Sequence, residues 1–175
     1  GEQSSSADTE VVTTMGEAGG PISGENSSNL IAPISSLPPS VDEAAKNGRV
    51  DINQSNNGVT LTIDDRFVFP SGSADISAEG SRTIETLVPL LEDLEGKIEV
   101  FGHTDNIPIR TKQFETNWEL SSARAVNIVR LLIMEGIDEK RLRAVGVAHT
   151  QPIATNATEL GRSKNRRVEI QIREP

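Results

Sequence analysis

Beyond position 50 the spacing of hydrophobic residues switches repeatedly between two and three-to-four, and that switching dictates a layered domain of strands and helices. Val50 and Ile52 alternate with Asp51 and Asn53, and Val59, Leu61 and Ile63 alternate with Thr60, Thr62 and Asp64. A period of two puts one side of a strand into a core and the other toward water. Between these runs, Asn56-Asn57-Gly58 supplies the residue types that adopt positive φ in a tight hairpin turn. Ile84, Leu87, Val88 and Leu91 then recur at helical spacing after Ser77 and share one face. Pro89 lies inside this pattern and predicts a kink or an early end.

Ile98 and Val100 mark a strand that ends at Gly102, followed by a loop over residues 103–116. Asn117 is read as the N-cap of a second long helix, whose stripe is Ala125, Ile128, Val129 and Leu132. Gly136-Ile137 reads as its Schellman stop. A short strand over residues 142–147, a polar helical turn over 158–165 and the alternating Val168, Ile170 and Ile172 complete the chain. Ahead of all this, Ser40 and Glu43 stand at capping-box spacing before a short helix that Asn47-Gly48 ends. The order helix, strand, strand, helix, strand, helix, strand, helix, strand predicts an α/β fold of the α+β sandwich kind, a mixed sheet with helices on one face.

Composition divides the chain. Residues 1–38 are rich in Ser, Gly, Pro, Glu and Thr, which bury too little apolar surface to offset ordering entropy, and are expected to form a flexible linker. Residues 39–57 are read as a short helix and first hairpin strand leading into a core domain at 58–175. Residues 1–49 hold seven acidic against two basic residues in a chain of formal net charge −9, a balance that argues against a nucleic-acid partner. With no cysteine there is no disulfide, zinc-thiolate site or cysteine nucleophile. No apolar run approaches the ~20 residues of a membrane span. The opening Gly-Glu-Gln without Met reads as an excised fragment or a mature product, with any membrane anchor outside it.

The loop and the second long helix carry a distinctive set of motifs. Gly102-His103-Thr104-Asp105 is followed by Asn117-Trp118-Glu119-Leu120-Ser121-Ser122-Ala123-Arg124-Ala125, by Gly136-Ile137, Arg141-Leu142 and Asn156-Ala157-Thr158, and by Gly161-Arg162-Ser163-Lys164-Asn165-Arg166-Arg167-Val168-Glu169-Ile170. In this order the set resembles the OmpA-like peptidoglycan-binding domain family, over about residues 58–173. The long segment from Asn106-Ile107-Pro108-Ile109 to Phe114, with Phe69-Pro70-Ser71-Gly72-Ser73-Ala74, is most similar to the periplasmic region of the flagellar stator B subunits of the MotB/PomB type. In many family members an acidic residue follows the phenylalanine corresponding to Phe69. Here that position is Pro70, so a contact by that acid is not carried over.

The resemblance implies a non-enzymatic wall anchor in the periplasm, belonging to a single-pass inner-membrane protein and needing no cofactor. Its implied partners are peptidoglycan, a MotA/PomA-like stator A subunit reached through a transmembrane part, and a second copy in a homodimer. The implied ligand is the zwitterionic end of the stem-peptide diaminopimelate, which calls for one anion and one forked cation. The motif match assigns those roles to Asp105 and Arg124; the alternative is a salt bridge between them that only holds the loop. Asn117 either caps its helix or contacts the glycopeptide, and Thr104 either offers its hydroxyl or backbone N–H to the ligand or does not. Arg166 and Arg167 alternate to opposite faces, with Arg167 favoured to reach the ligand and a solvated basic turn as the alternative. A second setting for the same grip is an outer-membrane protein or lipoprotein tether. A metal-dependent wall hydrolase built on His103, Asp105 and His149 is the remote alternative, against which stands the lack of a His-Glu-x-x-His helix or a Gly-x-Ser-x-Gly elbow.

Overall fold

The computed structural model describes residues 37–173. The expected linker over residues 1–38 therefore lies almost wholly outside the described residues. The elements follow the expected order: α1 (Pro39–Lys46), β1 (Asp51–Ser55), β2 (Gly58–Asp64), α2 (Ala78–Asp93), β3 (Lys97–His103), α3 (Asn117–Met134), β4 (Leu142–Ala148), α4 (Glu159–Asn165) and β5 (Arg167–Arg173). Short 3₁₀ turns at Asp65–Phe67 and Glu139–Arg141 join β2 to the following loop and α3 to β4. Among the described residues, no helix is long and apolar enough to cross a membrane.

The five strands form one mixed sheet in the order β1-β2-β5-β3-β4. The last strand is central: β5 runs antiparallel to both β2 and β3, while β3 and β4 are parallel. The register lines up Leu61, Ile170 and Val100 across three strands, with Val59, Ile172 and Ile98 in the next row. These six side chains are buried and join the α2 residues Ile84, Leu87 and Leu91 and the α3 residues Ala125, Ile128 and Leu132 in one core. The opposite face carries Thr60, Thr62, Glu99, Glu169 and Gln171, all half-buried.

α3 lies close on the sheet because paired glycines let it. Gly102 of β3 stands opposite Gly146 of β4, and a Cβ at either would run into the backbone of Ser121 or Ser122 on the helix. At the far end of α3, Gly136 takes φ 102° and the Ile137 N–H donates to the Leu132 carbonyl at 3.0 Å, the stop expected from the sequence.

Four local expectations are corrected. The first helix begins at Pro39, whose fixed φ suits the first helical position, and Ser40 does not cap it; the Ser40 hydroxyl instead donates to the Thr86 carbonyl at 3.2 Å, tying α1 to α2. In the β1–β2 hairpin only Gly58 has positive φ, at 153°; Asn56 and Asn57 do not. α2 does not end early at Pro89 but continues to Asp93, since Pro89 is on the exposed side while Leu87, Val88, Leu90 and Leu91 bind the helix to the core. The cap of α3 is Thr116 rather than Asn117: its hydroxyl oxygen accepts from the Trp118 N–H at 3.1 Å and its hydroxyl donates to Glu119.

Candidate functional site

At the C-terminal end of β3 the chain leaves the sheet through a built junction. Ala148, at the end of β4, is the only described non-glycine residue with positive φ, 52°. That conformation directs its N–H to the Ser121 hydroxyl at 3.1 Å and its carbonyl to the Thr104 N–H at 2.9 Å. A non-glycine residue is held in this region only where its surroundings over-determine it. Here strand, helix and loop are pinned together where Asp105 emerges.

Asp105 is buried, and its carboxylate is oriented from two sides. Oδ1 accepts from the Ile107 N–H at 2.9 Å and Oδ2 accepts from Arg166 Nη1 at 2.7 Å. Thr104 is spent on the loop itself: its hydroxyl donates to the Asp105 carbonyl at 2.8 Å. Asn117 donates from Nδ2 to the Ile107 carbonyl at 2.9 Å and so fastens the loop to the start of α3.

Arg124, two turns along α3, is only 5% exposed. Nη1 donates to Asp65 Oδ2 at 2.7 Å, Nε to the Ser73 carbonyl at 2.8 Å and Nη2 to the Pro70 carbonyl at 3.3 Å, while the Phe69 ring lies 4.7 Å below the guanidinium. Burial pulls the Arg124 guanidinium below its ordinary value and pushes the Asp65 carboxyl above its own, and their mutual attraction opposes both shifts. Asp105 and Arg124 thus do not pair with each other. Each has its own partner, and both line one open cavity of about 710 Å³.

Thr104 and Asn117 also line this cavity, and Arg167 does not. β5 begins at Arg167, so alternation turns that side chain to the sheet face away from the cavity, where it is buried against Glu169 (Nε to Oε2, 2.7 Å) and the carbonyls of Asn165 and Gln151. The cavity receives Arg166 instead, which bridges Asp105 and, through Nη2 at 2.7 Å, Glu159. Partial burial disfavours the Arg166 charge, but hydrogen bonds to Glu159 and Asp105 outweigh it and hold the guanidinium above its ordinary value. Sequence reasoning missed Asp65, Glu159 and Arg110 as further lining residues; the doublet Asp64-Asp65 right after a strand was the one available signal.

His103 sits beside Asp105 in sequence but faces the other way, paired in register with Arg167. Both ring nitrogens are buried without a hydrogen bond, Nε2 lying 3.7 Å from Glu169 Oε2, and the ring stacks on Phe101 at 6.2 Å. Burial and the neighbouring Arg167 cation lower its pKa to about 4, against the pull of Glu169. His149 is exposed. The remote hydrolase reading therefore finds His103 turned away from Asp105.

The OmpA family model matches residues 68–166, a span that holds Asp105, Arg124 and Arg166. Motility protein B of Bacillus subtilis (strain 168) is 38% identical over 133 residues, 71% of this chain and 48% of that protein. Among solved structures, the cell wall anchor of the type VI secretion system from Pseudomonas aeruginosa superposes with a TM-score of 0.74 at 34% identity, over 78% of this chain and 95% of that one. The periplasmic domain of Helicobacter pylori MotB superposes with a TM-score of 0.67 at 28% identity, over 75% of this chain and 83% of that one. The chain spans about half the length of the curated relatives it matches, 48% in the case of the Bacillus protein.

Proposed function

Because the chain belongs to the OmpA family, we propose that it is a peptidoglycan-binding anchor of the MotB type, holding a flagellar stator to the cell wall. Its task is to bind, not to catalyse. In this reading it is the periplasmic part of an inner-membrane protein, dimerises with a second copy and works with a MotA-like partner. Residues 1–38 serve as the tether, and 58–175 as the gripping domain.

One observation carries the reading of the site: an anion and a forked cation, each immobilised by separate contacts, border the same cavity. A diaminopimelate terminus offers an ammonium and a carboxylate a few ångströms apart. Asp105 takes the ammonium. Its carboxylate has about four acceptor positions, and the Ile107 N–H and Arg166 occupy two of them. Arg124 takes the carboxylate. Of its about five N–H donors, three are committed to Asp65, Ser73 and Pro70. Two therefore remain, one on each terminal nitrogen, for a carboxylate to meet. Arg166 holds the Asp105 carboxylate in place; Thr104 and Asn117 hold the loop that carries it.

Co-sedimentation with purified sacculi tests this. Asp105→Asn and Arg124→Lys are expected to abolish pelleting while the circular dichroism spectrum stays native, and free diaminopimelate is expected to compete with the unaltered protein. Undiminished pelleting of both variants would reject the assignment. A second reading, favoured by the likeness to the secretion-system wall anchor, keeps the same grip but places it in an envelope machine or outer-membrane tether other than the flagellar motor.

A further inference from the structure

The cavity is larger than the proposed ligand end requires. Pockets of ~300–1,000 Å³ hold ligands of drug size, and this one is about 710 Å³, so a single amino-acid terminus leaves much of it unfilled. Its charges are also unevenly paired. The lining holds four arginines (Arg66, Arg110, Arg124 and Arg166), and four carboxylates stand at or beside it, those of Asp64, Asp65, Asp105 and Glu159. Three of those arginines are committed: Arg124 to Asp65, Arg166 to Asp105 and Glu159, and Arg66 to Asp64 at 3.1 Å. Arg110 alone has no carboxylate partner among the described residues.

Arg110 stands on the loop over residues 104–116 that also carries Asp105. This loop is braced by its own turn, with the Thr111 N–H donating to the Phe114 carbonyl at 2.8 Å and the Phe114 N–H to the Thr111 hydroxyl at 2.9 Å. It is fastened at Ile107 by Asn117. The backbone that carries this exposed arginine is therefore fixed at the cavity wall. Because Arg166 serves both Asp105 and Glu159, the Arg110 guanidinium is left with its donors free for an anionic group on a ligand.

We infer that Arg110 is a specificity-determining residue that reads a second carboxylate on the ligand, beyond the one taken by Arg124, so that the site prefers stem peptides whose carboxylates are free over those in which they are amidated. This rests on the reading of the cavity as a diaminopimelate site. The pair forms at an exposed position, where attraction is modest and screened by salt. The preference is accordingly about two- to fivefold at low ionic strength.

The test uses two synthetic peptides, L-alanyl-γ-D-glutamyl-meso-diaminopimelate and the same peptide with the glutamate α-carboxylate as its amide. Affinities are measured calorimetrically for the whole chain and for Arg110→Gln, Arg110→Lys and Asp105→Asn. The unaltered protein is expected to favour the acid, Arg110→Gln to bind both peptides with the affinity of the amide, and Arg110→Lys to keep part of the preference. Asp105→Asn should lose both peptides. Equal binding of acid and amide by the unaltered protein, or an equal loss of both in Arg110→Gln, overturns the role of Arg110 while leaving the diaminopimelate site standing. Failure of both peptides to bind the unaltered protein, or equal binding by Asp105→Asn, overturns both.

Discussion

Arg124 and Asp65, 59 positions apart in sequence, meet at 2.7 Å in the lining of the cavity, and their contact makes Arg124 a fixed donor rather than a wandering side chain. Both are largely removed from water. Deleting one partner of such a pair strands a buried charge, which costs about 3–5 kcal/mol, whereas removing both together costs less than the sum. Asp65→Ala and Arg124→Ala should each lower stability by about that amount, and the double variant by clearly less than their total. Urea denaturation of the four proteins checks this; additivity would mean that the two groups do not support each other.

The neighbouring arginines 166 and 167 should separate binding from folding. Arg166 is half-buried on the cavity, and Arg167 is 3% exposed with three hydrogen-bond partners on the other face. Arg166→Gln, which keeps a donor beside the buried Asp105, is expected to weaken sacculus binding several-fold with a smaller fall in melting temperature than Arg167→Ala. Arg167→Ala is expected to lower stability by about 2–4 kcal/mol, since it leaves Glu169 half-buried without its cation, while the part that remains folded still binds. Melting curves and co-sedimentation on the same samples distinguish the two.

His103 gives the domain an acid sensitivity of known sign. It is neutral in the folded state, with a pKa lowered to about 4, and would titrate near 6.5 when unfolded. The unfolded chain thus binds the extra proton first, so stability is fully present above pH ~6.5 and is lost as pH falls toward ~4. The loss amounts to about 2–3 kcal/mol across that window. Arg167 and Glu169 face the imidazole from β5, and Phe101 stacks on it from β3. His103→Leu should flatten the stability profile between pH 6.5 and 4, measured by denaturation at several pH values. An unchanged slope would place the titrating group elsewhere.

The left-handed Ala148 should behave oppositely to most core alanines. Its φ of 52° suits glycine. Ala148→Gly is therefore expected to be neutral or stabilising by up to about 1 kcal/mol, and Ala148→Val destabilising by about 1–3 kcal/mol. Thermal melts of both variants decide it; the valine protein should also bind sacculi more weakly, because leaving the left-handed conformation turns the carbonyl of residue 148 away from the Thr104 N–H.

Much of the architecture was legible because it is written in local periodicity. Val59, Leu61 and Ile63, or Val168, Ile170 and Ile172, can be strands of only one orientation toward a core, and Ala125, Ile128 and Leu132 fall on one helical face. The motif match placed Asp105 and Arg124 on one cavity. What remained hidden was nonlocal or depended on a single residue. Nothing in the spacing says that β5 inserts between β2 and β3, or that Arg124 finds Asp65 rather than Asp105. Alternation puts Arg167 on the face of Glu169 and Gln171, opposite Val168, Ile170 and Ile172, but nothing local says on which side of β5 the cavity lies. A single position separates Thr116 from Asn117 as the cap, and both residue types suit that position.

The pairing of Gly102 with Gly146 beneath Ser121 and Ser122 has a kinetic corollary. With the helix seated against the strands and locked through Ser121 to Ala148, the recess takes its shape during folding and awaits its ligand already formed. Capture should then proceed in one step, at a rate that rises linearly with peptide concentration without reaching a plateau, and with a small change in heat capacity.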